Sequence, residues 1–134
     1  MRALPLVLLA GCGPTIVGWW DLDRWAVERG GDHVERRDAG FLLWEDEAYG
    51  TFTMVVRYDY DPAAFDLVPL AKPPVEHPIY DPDDFDVDEP IAFSYGEDVQ
   101  YVEWTVEEYH PGRMVLKTPS PYGDGADWTW TLLR

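Results

Sequence analysis

The chain holds a single cysteine, Cys12, so no internal disulfide can brace the fold. No stretch supplies the roughly 20 apolar residues that a transmembrane helix needs. Serine is scarce: Ser94 and Ser120 are the only two, and neither sits in a G-x-S-x-G nucleophile turn. His33, His77 and His110 are isolated and lack the H-x-H or H-E-x-x-H spacing of a zinc site. They read as exposed loop residues. There is no Gly-rich phosphate loop, no long helical pattern and no internal repeat. Positive charge is also in short supply. Ten Lys and Arg stand against 26 Asp and Glu, for a net charge of −16. Such a surface repels nucleic acid and anionic phospholipid.

What is present is apolar and aromatic. Hydrophobic residues make up 46% and aromatic ones 15% of 134 residues, with seven Trp and eight Tyr. That is too apolar for a disordered chain and enough to bury one core, so a single domain is expected.

The first twelve residues form a unit of their own. Arg2 supplies one positive charge, Ala3 to Leu9 are apolar apart from Pro5, and Ala10 and Gly11 are small. A charged start, an apolar middle and a small-residue end describe a secretory signal. The plainer alternative is a buried N-terminal strand or helix with an inert core cysteine. Leu9-Ala10-Gly11-Cys12 resembles the lipobox of bacterial lipoproteins. The resemblance implies a signal peptide over residues 1–11 and a lipidated tether over 12–15. It implies a diacylglycerol on the Cys12 sulfur and an acyl chain on its new amino group. Gly13, where an Asp is linked to inner-membrane retention, points to the outer membrane. One acyl chain holds a protein only marginally, whereas several make a stable anchor. The expected partner is therefore the membrane, reached through Cys12.

Residues 16–134 read as strands and turns. In "IVGWWDLDRWAV", Val17, Trp19 and Asp21 fall on one face and Gly18, Trp20 and Leu22 on the other, with Trp25 and Val27 resuming an apolar face after a bulge. Gly30 and Gly31 mark a turn. Phe41 to Trp44 and Thr51 to Tyr58 form two strands joined by Asp46 to Gly50, with Phe52, Met54, Val56 and Tyr58 on one face. Val102, Trp104 and Val106 alternate with Glu103, Thr105 and Glu107. Pro111 and Gly112 suit a type II turn, which needs positive φ at the glycine. Met114 and Leu116, then Trp128, Trp130 and Leu132, continue the inward pattern. The fold class expected is all-β, an antiparallel meander closing into a small barrel or an open half-barrel. Residues 61–98 carry seven of the twelve prolines and read as an irregular insertion, with "FDLVPLA" and "IAFSY" as short strand candidates.

The layout resembles the small lipocalin-like domains of bacterial lipoproteins. The resemblance rests on Gly18-Trp19-Trp20, on the turn Glu47 to Phe52, and on the late strands Trp104 to Val106, Met114 to Leu116 and Trp128 to Leu132.

Two sets of candidate site residues follow. Trp19, Trp25, Trp104, Trp128 and Trp130 could line a cavity for an apolar ligand, or simply fill the interior. Asp81, Asp83, Asp84, Asp86 and Asp88 supply oxygen ligands densely enough for calcium, without the Gly and closing Glu of an EF-hand loop. A solvated acidic loop is the plain alternative. Carboxylates are too plentiful to single out a glycosidase pair. The expectation is a non-enzymatic envelope lipoprotein, without cofactor, that binds an apolar small molecule or an envelope protein. The alternative is a calcium-dependent binding or structural module acting through residues 81–89.

Overall fold

The computed structural model describes residues 16–45, 52–78, 90–94 and 101–134. Residues 1–15, the 46–51 connection and the acidic run 79–89 lie outside the described residues, and with them Cys12 and all five candidate calcium ligands.

Ten strands account for most of what is described. They are β1 (Gly18–Arg29), β2 (Asp32–Trp44), β3 (Phe52–Val56), β4 (Tyr58–Asp61), β5 (Asp66–Pro69), β6 (Val75–Glu76), β7 (Pro90–Ser94), β8 (Tyr101–His110), β9 (Arg113–Pro119) and β10 (Asp127–Leu133). Eight form one antiparallel sheet in the order β6-β3-β2-β1-β10-β9-β8-β7, and β4 pairs with β5 in a separate hairpin. The first strand thus lies beside the last, which seals the two halves of the meander along β1 and β10. Among the described residues the ladder does not close. The fold is all-β, and the sheet is an open half-barrel whose two ends curl toward each other.

The inner face follows the period-two pattern. Trp20 and Leu22 are buried, the register shifts between Leu22 and Arg24, and Trp25 and Val27 are buried beyond it. Val102, Trp104 and Val106 on β8, Met114 and Leu116 on β9, and Trp128, Trp130 and Leu132 on β10 complete that face. Each buried tryptophan removes a large apolar area from water, worth at most roughly 5 kcal/mol per ring system before entropy is counted.

Three expectations need correction. β2 begins at Asp32, not near Phe41, so the charged stretch after the Gly30–Gly31 turn is already strand. It pairs with β1 from Arg29↔Asp32 onward and needs no apolar alternation, because its outer face is satisfied by ion pairs. Tyr58 does not continue β3: the chain turns at Arg57, and Tyr58 opens β4 in the other sheet. Within the Pro-rich 61–98 region both short strand candidates are strands, β5 in "FDLVPLA" and β7 in "IAFSY", and β6 adds a third. β6 and β7 lie at the two edges of the large sheet, where missing proline donors cost little. Gly112 lacks the positive φ of a type II turn. Its carbonyl instead accepts the Arg134 N–H at 3.1 Å.

Candidate functional site

The interior is built from aromatic rings on alternate positions of facing strands. Trp25 of β1 meets Trp128 of β10 edge-on, with centroids 5.0 Å apart, and Trp130 at 5.9 Å. Trp104 of β8 lies 4.3 Å from Trp130 and stacks on Phe93 of β7 at 5.4 Å and 9°. The chain of rings continues from Phe93 to Phe52 at 5.2 Å, and from Phe52 to Trp44 at 4.7 Å. The structure therefore brings together four of the five candidate tryptophans, all fully buried, and sets their faces and edges against one another. Trp44 was not among the candidates. Its place in the alternation Leu42, Trp44 was the available sign.

Trp19 is the exception and stands as a correction to the cavity set. It precedes Trp20 directly, and neighbouring strand residues point to opposite faces, so only one of the pair can be inside. Trp20 is inside, where its indole N–H donates to the Ile16 carbonyl at 3.0 Å. Trp19 is 48% exposed, stacks on Phe41 at 4.2 Å, and donates its N–H to Asp21 Oδ1 at 2.9 Å.

The core also holds one hydrogen-bonding group of note. Trp104 Nε1 is buried and has no acceptor among the described residues. A donor in that position costs about 1–3 kcal/mol unless an oxygen meets it.

A second cluster closes one end of the curl. Tyr60 of β4 donates its hydroxyl to Asp124 Oδ2 at 2.5 Å, and Arg29 Nη1 lies 3.5 Å from the same oxygen. Arg29 also donates to the Pro62 carbonyl at 3.1 Å and sits 4.6 Å over the Phe65 ring. Burial pushes the Asp124 carboxyl up, but hydrogen bonds from Tyr60, Ser120 and the Ala126 N–H outweigh it and hold the group below its ordinary range. Burial first, and the Asp124 carboxylate second, push the Tyr60 hydroxyl up to about 12. The phenol is thus a fixed donor at neutral pH, unsuited to act as a base. The arrangement clamps the β4–β5 hairpin onto Trp128, whose ring lies 5.7 Å from that of Tyr60. The sequence gives no sign of it, because Tyr60 on β4 and Asp124 in the β9–β10 loop are far apart in the chain.

The outer face of β1 and β2 carries a charge lattice. Arg24 donates to Glu35 at 2.9 Å, His33 lies 2.8 Å from the same oxygen, and Arg37 pairs with Asp23 at 2.9 Å. The Arg24 hydrogen bond, then that of His33, draw Glu35 down to about 2. His110 lies 3.3 Å from Glu108. Among the described residues no group of three or more His, Cys, Asp or Glu is placed to hold a metal ion. No helix among them is long and apolar enough to cross a membrane. Ser120 is buried in the β9–β10 loop and accepts the Tyr122 N–H at 3.2 Å, with no histidine beside it in that contact.

No protein-family model matches the chain, and no curated protein or solved structure matches it.

Proposed function

We propose that the chain is an envelope-anchored bacterial lipoprotein whose β domain is non-enzymatic and offers its outer surface, rather than an interior cavity, to its partners. The observation that carries this reading is the position of the lipobox relative to the fold. Ile16 is already buried in the core, only four residues after Cys12, so the domain begins where a lipid tether would end. A short apolar leader, small residues and one cysteine directly ahead of a folded domain have a common purpose in such proteins.

The interior favours a surface function. Trp25, Trp104, Trp128 and Trp130 take each other as neighbours, which supports a filled half-barrel over a carrier of an apolar molecule. The test is metabolic labelling with a palmitate analogue. The wild type should be labelled and Cys12→Ser should not. Equal labelling of both would remove the anchor and the envelope location with it.

A further inference from the structure

The outer face of the sheet is divided by the bulge between Leu22 and Arg24. On one side of it lie the ion pairs of Arg24, Glu35, Arg37 and Asp23. On the other side the outward rows turn apolar. Trp19, Leu43 and Thr53 form one cross-strand row, and Asp21, Phe41, Val55 and Val75 form the next. Trp19 is 48% and Val75 62% exposed, and Val17, just ahead of β1, is 43% exposed. On the opposite side of the curl, β8 turns Glu103, Thr105 and Glu107 to solvent.

We propose that the patch of Trp19, Phe41, Leu43, Val55 and Val75 seats the domain on the bilayer that holds its own anchor, at the depth of neutral headgroups, with β8 turned away. This rests on the reading of Cys12 as the lipid attachment point. Contiguous apolar surface on an otherwise charged domain marks a contact with a partner or a membrane. The chain itself selects the membrane. Four residues from Cys12 to Ile16 span at most about 14 Å, and the patch begins at Val17 and Trp19. An anchored domain therefore meets the bilayer at this face at a high effective concentration.

Trp19 suits the interface. Its ring is apolar, its N–H is satisfied by Asp21, and tryptophan concentrates at headgroup level, where a nearby carboxylate stays wet. A net charge of −16 rules out attraction to anionic lipid and opposes a second copy of the chain on the same patch.

The test uses the full lipidated chain in phosphatidylcholine vesicles, with and without bromine on the acyl chains near the headgroups. The six other tryptophans are the background, so wild type is compared with Trp19→Phe, which keeps the patch apolar but removes the reporter. A second variant, Val75→Glu, keeps the reporter and charges an exposed edge position. The proposal expects bromine quenching in the wild type, loss of that quenching in Trp19→Phe, and at least a twofold reduction in Val75→Glu. Vesicle-bound protein with equal quenching in all three chains, or with none, overturns the docking while leaving the anchor intact. Protein that fails to float with vesicles because Cys12 carries no lipid overturns both. Concentration-dependent shielding of Trp19 without vesicles assigns the patch to a second copy and overturns the proposal.

Discussion

Phe52 and Phe93 meet edge to face at 5.2 Å and 89°, although β3 and β7 lie near opposite ends of the eight-stranded order. Among the described residues no hydrogen-bonded ladder joins those strands, and side-chain packing draws the ends of the sheet together. Phe93 also stacks on Trp104 and approaches Trp44 at 6.5 Å, so it ties the β7–β8 end of the sheet to the β2–β3 end.

Phe93→Ala should therefore cost about 4 kcal/mol, the usual range for removing a buried phenylalanine. For a domain of this size that lowers the melting temperature by on the order of 15 °C. Phe93→Leu should recover most of it. Calorimetry on the two variants decides the matter, and a loss below about 1 kcal/mol for Phe93→Ala would mean that the ends of the sheet are held by something else.

Gly40 should be far less replaceable than Gly30. Both have positive φ, 145° and 63°. A Cβ on Gly40 would lie 1.9 Å from the Val55 carbonyl oxygen, whereas one on Gly30 meets nothing within 4 Å. Gly30→Ala should cost only the backbone strain, about 1 kcal/mol. Gly40→Ala must also push β2 away from β3 and should cost about 3 kcal/mol or more. Denaturant midpoints of the two variants give the comparison directly. Equal losses would contradict the close approach of β3.

The inward alternations of β8, β9 and β10 were legible because each has one face in the core and one in solvent, so Trp104, Leu116 and Trp130 announce themselves by spacing. The first half of β2 was not. His33, Glu35 and Arg37 face outward into ion pairs, and the alternate positions Val34 and Arg36 are only half-buried, which leaves no period-two signal. Trp19 and Trp20 show a different limit: adjacency proves that one is outside without saying which. The Tyr60–Asp124 clamp depends on the curl of the whole sheet and has no local sign at all.

The acidic run from Asp81 to Glu89 offers a direct test of the calcium alternative. Six carboxylates in nine residues repel each other, and salt screens that repulsion over about 8 Å at physiological strength. For a merely solvated loop, sodium chloride and calcium should act alike at matched ionic strength. Replacing Asp83, Asp84 and Asp86 by Ser should then leave the melting temperature unchanged or slightly higher. A cation site would behave otherwise: calcium would stabilise the wild type by mass action at far lower concentration, and the triple variant would lose that gain.

Alkaline pH should act on the clamp at the end of the curl. The Tyr60 hydroxyl is pushed up to about 12 in the fold, against about 10 in an unfolded chain. Between these values the unfolded state has released the proton and the folded state has not. The contribution of Tyr60 is therefore complete below about pH 10 and is lost as pH rises toward 12. Tyr60→Phe removes a charge-assisted hydrogen bond to Asp124 and should cost about 2 kcal/mol at neutral pH. Asp124 keeps Arg29 and the Ala126 N–H, so the variant should still fold. The other tyrosines titrate in both proteins, and the difference between the two stability curves isolates this one. That difference should be constant from pH 6 to pH 9 and shrink above pH 10. A difference that stays flat to pH 12 would show that the fold does not raise the Tyr60 hydroxyl, and a difference near zero throughout would leave the clamp to ring packing on Trp128 alone.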